Sequence, residues 1–230
     1  MSSPVPIPPP GYPTGLADQS APAGKTGRIL QILQGRFASG HYRFGEKLSV
    51  VDLAQEFGVS RQPIITSMRD LAGDGFVIIT PQVGCEAAAP DRGEIQDFFS
   101  VFAKMEGRMA GMAAERHDEA DLARLRAAQA SFEQSPSGGG HWNLDNVSYF
   151  HSVIRHMART PVLANRIGKF WHMANYILRN GQRDYSEHMR AIGNRERAGI
   201  VAAIAARDAA AAEQAMEAHV LGKPRRVGLL

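Results

Sequence analysis

The 230-residue sequence has little of what defines several protein classes. It contains one cysteine, which excludes an internal disulfide framework and a cysteine-rich zinc module. No apolar run approaches the ~18 residues that a membrane helix needs. The N-terminus has no basic start followed by an apolar stretch, so no signal peptide is predicted. The expectation that remains is a cytoplasmic protein without a membrane partner.

Net charge is also scarce. Lys and Arg number 26 against 23 Asp and Glu, which gives a formal charge of +3. This mildly basic balance permits a nucleic-acid partner but does not demand one. The segment 25–90 contributes only +1 of it, so the charge balance does not locate a DNA-binding surface.

Composition divides the chain into four segments. Residues 1–24 hold seven of the 13 prolines and are expected to be a disordered or extended tail, with a proline-rich docking motif as the alternative. Residues 25–90 and 91–222 are expected to form two folded domains. Residues 223–230, which begin with Lys223 and include Arg225 and Arg226, are expected to be a basic tail.

The order of elements in residues 25–90 predicts a winged helix-turn-helix. An amphipathic helix begins at Lys25, two short helices at 49–57 and 60–73 follow, and strands are expected at 76–80 and 84–89. The two short helices are joined by a glycine-containing turn, and the hairpin forms the wing. In such a domain the second short helix enters the major groove of DNA with its N-terminal residues.

Residues 91–230 show helical patterns without a convincing strand. Prolines, glycines and polar breaks delimit six predicted helices near 93–115, 119–133, 142–158, 161–180, 186–206 and 208–221. Six helices predict an all-α bundle. The expected fold class is therefore mainly α, with an N-terminal winged helix-turn-helix and a C-terminal helical bundle.

The N-terminal motifs resemble the DNA-binding domain of GntR-family bacterial transcription regulators. The matching stretches are Gly45-Glu-Lys-Leu-Ser49, Asp52-Leu-Ala54, Gly58-Val-Ser-Arg61-Gln-Pro-Ile64 and Gly75-Phe-Val77. The all-helical remainder points to the FadR-type branch, and the resemblance covers residues 25–222. It implies a homodimeric transcription regulator, commonly a repressor, that binds double-stranded operator DNA and a small-molecule effector and is not an enzyme.

By this resemblance Arg61 is the first choice for a DNA contact, and Gln62, Thr66 and the wing residue Gly84 are weaker choices. Ser49 and Ser60 are also candidates, although both are better explained as helix caps. The family commonly has basic residues where Val51 and Ile65 stand here. Fewer phosphate or guanine contacts follow, which predicts an altered operator sequence or lower affinity.

The FadR-type branch often binds a divalent metal in its bundle, and its ligand frame can be placed on this chain. By the resemblance the four positions are Val147, His151, Arg197 and His219. Valine cannot ligate, and arginine stays protonated and repels a cation. Two imidazoles alone make a weak site.

Three interpretations of these positions remain open. His151 and His219 could be hydrogen-bonded core residues. A metal could persist if Asp145, Asn146 or His188 supplied a further ligand. The preferred hypothesis is that Arg197 replaces the charge of the metal, so that the site binds a carboxylate or another anionic or polar effector directly.

Pattern and resemblance point to further residues of this domain. Trp171 and Tyr176 are candidates for lining the effector pocket, and Glu106 falls where the family has a glutamate. Two alternatives to an effector-responsive regulator remain. One is a helical metal-dependent enzyme or metal sensor using the bundle histidines, and the other is an architectural DNA-binding protein with a vestigial bundle.

Overall fold

The computed structural model describes residues 24–133, 144–181 and 187–230. The expectations for tail residues 1–23 lie outside this range. The chain folds into two compact units. The N-terminal unit contains the described residues up to Glu94 together with 171–180, and the bundle unit contains the described residues of 95–170 and 181–230.

The N-terminal unit is a small helical domain with a three-stranded antiparallel sheet. Its elements are α1 (Gly24–Ala38), β1 (Lys47–Leu48), α2 (Val50–Glu56), α3 (Arg61–Gly73), β2 (Val77–Thr80) and β3 (Gly84–Ala87). The strands lie in the order β1-β3-β2, and Cys85 pairs with Leu48 on one side and Ile79 on the other. The two-residue strand β1 was not predicted, because a run this short has no periodicity of its own.

Local chemistry fixes the turn between the two short helices. Ser49 caps α2 by accepting a hydrogen bond from the backbone N–H of Asp52 at 3.2 Å. After α2, Gly58 takes a φ of 61°, a left-handed conformation that glycine adopts without steric cost. The chain then turns into α3, as the sequence predicted.

Aromatic side chains fill the core of this unit. Phe37 lies 5.3 Å from Phe76 and 5.1 Å from Tyr176 between ring centroids. The hydroxyl of Tyr176 donates to the carbonyl of Ala88 at 2.7 Å. Tyr176 therefore anchors the segment 171–180 in this unit.

The bundle unit is built from helices throughout its described residues. They are α4 (Arg92–Arg116), α5 (Glu119–Glu133), α6 (Leu144–Met157), α7 (Pro161–Arg179), α8 (Glu187–Ala205) and α9 (Ala209–Arg226), of which α4 and α7 also supply residues to the N-terminal unit. This architecture confirms the predicted fold class. Among the described residues, no helix combines the length and the apolar character that crossing a bilayer requires.

Helix α9 differs from the prediction at its C-terminal end. It was expected to stop at 221 and to be followed by a basic tail, but it runs to Arg226 with Pro224 inside. Lys223 is only 2% exposed, and Val227 is 5% exposed. A proline lacks the N–H that continues a helix, so the sequence favoured an early end of α9. Burial of the residues around Pro224 outweighs the cost of the missing backbone hydrogen bond.

Candidate functional site

The first turn of α3 presents polar side chains to solvent. Arg61 and Gln62 are exposed, and Thr66 donates its hydroxyl proton to the carbonyl of Gln62 at 3.1 Å. Ser60 occupies the N-cap position, but its side chain makes no cap hydrogen bond. Pro63, the third residue of the helix, has no N–H to donate, so it removes one of the two backbone donors that such a cap can use.

The hairpin of β2 and β3 forms an exposed wing. Its tip bends through Gln82, with a φ of 63°, and Gly84, with a φ of 140°. Val83 between them is 78% exposed. A hairpin tip this open can reach the backbone or a groove of DNA beside the helix that the wing flanks.

An apolar groove of about 400 Å³ lies between α3 and the wing. Ile65, Ile79 and Val83 line it, and Arg69 contributes a charged side chain. Ile65 is half-buried, and Val51 on α2 is 49% exposed. The two positions where the resemblance led us to look for basic residues therefore present apolar surface.

The interior of the bundle unit holds a group of ionisable side chains, which we call the buried polar cluster. Its members are Glu106, His151, Arg155, Glu196, Arg197, His219, Lys223 and Arg226. Both histidines, Glu106, Arg155, Arg197 and Lys223 are each at most 2% exposed. Buried charges are costly unless they are paired, so the pairing within this cluster is informative.

One half of the cluster is an Arg–Glu–His chain between α4 and α6. Arg155 donates to one carboxylate oxygen of Glu106 at 2.7 Å, and Nδ1 of His151 lies 2.7 Å from the other. Glu106 accepts from the arginine as an ionised carboxylate, so Nδ1 of His151 carries the proton. The Nε2 atom of His151 is then left with a lone pair.

The other half repeats this arrangement between α8 and α9. Arg226 donates to one oxygen of Glu196 at 2.7 Å, and Nδ1 of His219 lies 2.6 Å from the other. The same reasoning places the proton of His219 on Nδ1 and a lone pair on Nε2. The two imidazoles therefore share one tautomer, fixed in each case by a carboxylate.

Lys223 lies beside both of these Arg–Glu–His arrangements. Its Nζ is 3.1 Å from Nε2 of His151. The rings of His151 and His219 stack with 5.7 Å between centroids and 22° between planes. Nε2 of His219 is buried and has no hydrogen-bond partner among the described residues.

Burial and neighbouring cations determine the protonation of the cluster. Burial, reinforced by Lys223 and Arg197, holds the pKa of both histidines well below the ordinary value. Burial also lowers the pKa of Lys223, although Glu106 and Glu196 act in the opposite direction. Both imidazoles are therefore neutral at pH 7.

Arg197 lies with its guanidinium carbon 3.8 Å from the centre of the Phe132 ring, a cation–π arrangement. It also donates to the side-chain oxygen of Asn194. These contacts hold a buried guanidinium beside the two histidines, and its charge lowers the pKa of both.

The cluster does not fit a divalent metal. Val147 is buried and apolar, Arg197 is cationic, and Lys223 places its amine on Nε2 of His151. In the described ranges no group of three or more His, Cys, Asp or Glu side chains could hold a metal ion. Of the alternative ligands, His188 is exposed, and the side chains of Asp145 and Asn146 lie outside the described residues.

The structure corrects one part of the predicted effector site. Trp171 and Tyr176 belong to the N-terminal unit, and Tyr176 is part of its hydrophobic core. The helical spacing that suggested a pocket wall reflects core packing instead. His151, Arg197 and His219 do lie together in the bundle unit, with Glu106 as a direct partner of His151.

Four members of the cluster were not predicted. Arg155, Glu196, Lys223 and Arg226 carry charges that a sequence pattern assigns to the surface. Arg155 follows His151 by one helical turn, and this spacing was the available signal. Glu196 and Arg226 meet across 30 residues of chain, a contact that no local pattern reveals.

Comparison with protein-family models gives two matches. Residues 25–86 match the model described as bacterial regulatory proteins, gntR family. Residues 97–222, more than half of the chain, match the model described as FCD domain. These findings confirm the resemblance stated from the sequence.

Two curated relatives are transcriptional regulators by name. The Nta operon transcriptional regulator of Aminobacter aminovorans is 29% identical over 50% of this chain and 56% of its own length. An uncharacterized HTH-type transcriptional regulator of Agrobacterium vitis is 25% identical over 42% of this chain and 57% of its own length. The chain thus spans somewhat more than half the length of these relatives. Both relatives are named as regulators, and neither name is that of an enzyme.

Two solved structures share the fold. E. coli McbR/YncC superposes with a TM-score of 0.71 at 17% identity, covering 87% of this chain and 94% of that one. A putative GntR transcriptional regulator from Rhodococcus sp. RHA1 gives 0.67 at 18% identity, with coverage of 88% and 96%. At this identity the likeness concerns the fold alone.

Proposed function

This chain belongs to the gntR family of bacterial regulatory proteins that carry an FCD domain, and on that premise we propose that it represses or activates transcription from an operator under the control of a small anionic effector. The operator is double-stranded DNA, bound by a homodimer in the cytoplasm. The effector binds in the buried polar cluster. The observation that carries the effector assignment is the excess of positive charge in that cluster.

The DNA-binding half of the proposal rests on the exposed first turn of α3. Arg61 and Gln62 are exposed there, where the helix N-terminus also favours a phosphate oxygen. Arginine is the usual bidentate reader of guanine in the major groove. The neighbouring surface formed by Ile65 and Val83 suits the methyl group of thymine better than a phosphate. Arg61 is thus assigned to base or phosphate contact and the apolar groove to sequence preference.

The effector half rests on the charges of the cluster. Four of its described side chains are basic and two are carboxylates. Glu106 is shared by Arg155 and His151, and Glu196 by Arg226 and His219. Each carboxylate is thus shared by an arginine and a histidine, which leaves an excess of basic side chains among the described members of the cluster. A small carboxylate would balance them.

The unpartnered Nε2 of His219 narrows the class of ligand. An imidazole nitrogen with a lone pair accepts a proton donor and does not attract a carboxylate oxygen. A hydroxyl group beside the carboxylate would donate to this atom. We therefore assign the site to small hydroxycarboxylates in preference to simple carboxylates.

Regulation requires that the effector discriminate between two states of the dimer. An effector changes operator affinity by as much as its own affinity differs between the DNA-bound and the free arrangement. Binding energy of one to three kcal/mol, a typical coupling, would change operator affinity by about 5- to 150-fold. The sign of the response follows from which arrangement the effector prefers.

The DNA-binding half is tested by fluorescence anisotropy with the DNA upstream of the gene itself. Arg61→Ala is expected to weaken binding by about 1–3 kcal/mol, the value of one bidentate base contact. Arg28→Ala, which removes an exposed arginine from α1, serves as the matched control. Equal affinity of Arg61→Ala and the wild type at equal salt would refute this docking of α3.

The effector half is tested by thermal shift with matched acid pairs, acetate against glycolate and succinate against malate. The hydroxy acid of each pair is expected to stabilise the wild-type protein more, by mass action on the folded state. Arg197→Gln should abolish the shift, and Arg166→Gln, at an exposed arginine of α7, should preserve it. An anion response that survives Arg197→Gln would place the effector elsewhere.

A further inference from the structure

The two histidines of the buried polar cluster have the hydrogen-bonding pattern that is common among metal-binding histidines. A metal-binding imidazole commonly donates its other N–H to a carboxylate, which fixes the tautomer and raises the basicity of the ligating nitrogen. Glu106 does this for His151, and Glu196 does it for His219. Each carboxylate is held in turn by an arginine. Both Nε2 atoms are thereby left with a lone pair.

A lysine amine already contacts one of these lone pairs. Nζ of Lys223 lies 3.1 Å from Nε2 of His151, in the interior of the unit. The charges that act on Lys223 include Glu106 and Glu196, the two carboxylates that hold the histidines. A lysine amine is a hydrogen-bond donor of one positive charge, whereas a divalent ion would carry two.

We propose that the amine of Lys223 takes the place that a divalent metal would take between His151 and His219, so that the effector site works without metal. This inference rests on the proposed effector site, because both use the same cluster. It adds that the amine of Lys223 both occupies the metal position and supplies positive charge for the ligand. Removing the amine would leave two pre-oriented imidazoles able to bind a transition metal, although weakly, because Arg197 keeps its charge beside them.

The test compares zinc binding by the full-length wild type with Lys223→Ala and Lys223→Met, using equilibrium dialysis of protein without a histidine tag. We expect no zinc bound through the histidines of the wild type. The two variants should bind about one zinc ion per chain, at least about tenfold more tightly than the wild type. Cobalt in place of zinc should give a visible ligand-field absorption in the variants alone.

Two controls assign the binding to the cluster. Adding His219→Ala to Lys223→Ala should remove the gained zinc site. Lys104→Ala should behave as the wild type, because Lys104 is an exposed lysine paired with Glu217 on the surface. Helical circular dichroism verifies the fold of each variant, and Lys223→Met retains most of the side-chain volume where Lys223→Ala leaves a cavity.

Three results would overturn the proposal. The first is a wild-type protein that holds stoichiometric zinc and loses it in His151→Ala. The second is a folded Lys223 variant that binds zinc no better than the wild type. The third is loss of the fold in both variants, which would make Lys223 a structural residue.

These failures are distinguishable from failure of the proposed function. The carboxylate response of the wild type and its loss in Arg197→Gln are measured without metal. An effector response without a gained zinc site would remove the role given to Lys223 and leave the regulator assignment intact. A gained zinc site without a carboxylate response would refute the proposed effector and leave the role given to Lys223 intact.

Discussion

The two units of this chain bury different kinds of side chains. In the N-terminal unit the described buried polar side chains are Gln34, Ser67 and Asn175, all of them neutral. The bundle unit buries eight ionisable ones, which are Glu106, His117, Asp121, His151, Arg155, Arg197, His219 and Lys223. A buried ion pair adds little net stability compared with a well-packed apolar core. The difference is the one expected if the bundle interior holds the effector site that we propose, while the N-terminal interior serves folding alone.

The contrast between the two interiors predicts that, of the substitutions considered, a change at Glu106 lowers the free energy of unfolding most. Glu106→Gln removes the charge that Arg155 and His151 share, and breaking a buried pair in this way costs about 3–5 kcal/mol. Urea unfolding measures the free energy. Lys104→Ala, which breaks a surface ion pair with Glu217, is the control and should cost at most about 1 kcal/mol.

A small loss in Glu106→Gln, similar to that in Lys104→Ala, would mean that the cluster is open to water. The contrast between the two interiors would then be one of exposure rather than of chemistry.

A second prediction concerns pH. The pKa values of His151 and His219 are held well below the ordinary value, mainly by burial. As the pH falls, these two histidines therefore bind protons in the unfolded chain before they do so in the folded chain. The contribution of these two histidines to the stability of the bundle unit is therefore full above about pH 6.5, the unfolded value, and is lost as the pH falls below it. Between pH 7.5 and 5.5 each histidine that stays neutral removes about 1.4 kcal/mol.

Native-state hydrogen exchange resolves this loss by unit. Protection should fall mainly in α6 and α9, which carry the two fully buried histidines, because the histidines of the N-terminal unit are His41 on its surface and the half-buried His172. An equal loss of protection in both units would contradict the prediction.

The contrast also explains which parts of the molecule were predictable. Helix α5 was predicted at 119–133 and observed at the same residues, because His117-Asp118 and the polar run after it mark its ends. The winged-helix pattern was equally accessible, since its core is apolar and periodic.

The polar cluster was accessible in part. His151, Arg197 and His219 came from the spacing of a family pattern. The neighbours that fix their chemistry came from elsewhere in the chain, and Glu196 lies 23 residues from His219. Lys223 was assigned to a tail because Pro224 and two arginines follow it, and only tertiary packing shows it to be buried.

The third prediction tests the DNA-binding face that we propose for the N-terminal unit, in which no described charged side chain is buried. Ile65 lines the apolar groove beside α3, at the position where the family commonly has an arginine. Ile65→Arg should add a phosphate or guanine contact worth about 1–3 kcal/mol and steepen the salt dependence of DNA binding. Ile65→Leu, which preserves the apolar surface, is the control.

Anisotropy titrations at several salt concentrations measure this change, with a parallel selection for preferred sequences. If Ile65→Arg and Ile65→Leu gave the same affinity and salt slope, residue 65 would lie away from the DNA, and the groove would have no part in operator preference.

The smallest effect is expected at a polar anchor of the aromatic core. The hydroxyl of Tyr176 donates to the carbonyl of Ala88 at 2.7 Å, and Tyr176→Phe removes this bond while leaving the ring contacts with Phe37. The loss should be about 0.5–1.5 kcal/mol, seen by hydrogen exchange in the N-terminal unit. Tyr149→Phe in the bundle unit should leave that protection unchanged. A loss for Tyr176→Phe as large as that for Glu106→Gln would show that the N-terminal core also depends on a buried polar group, and the contrast between the two interiors would fail.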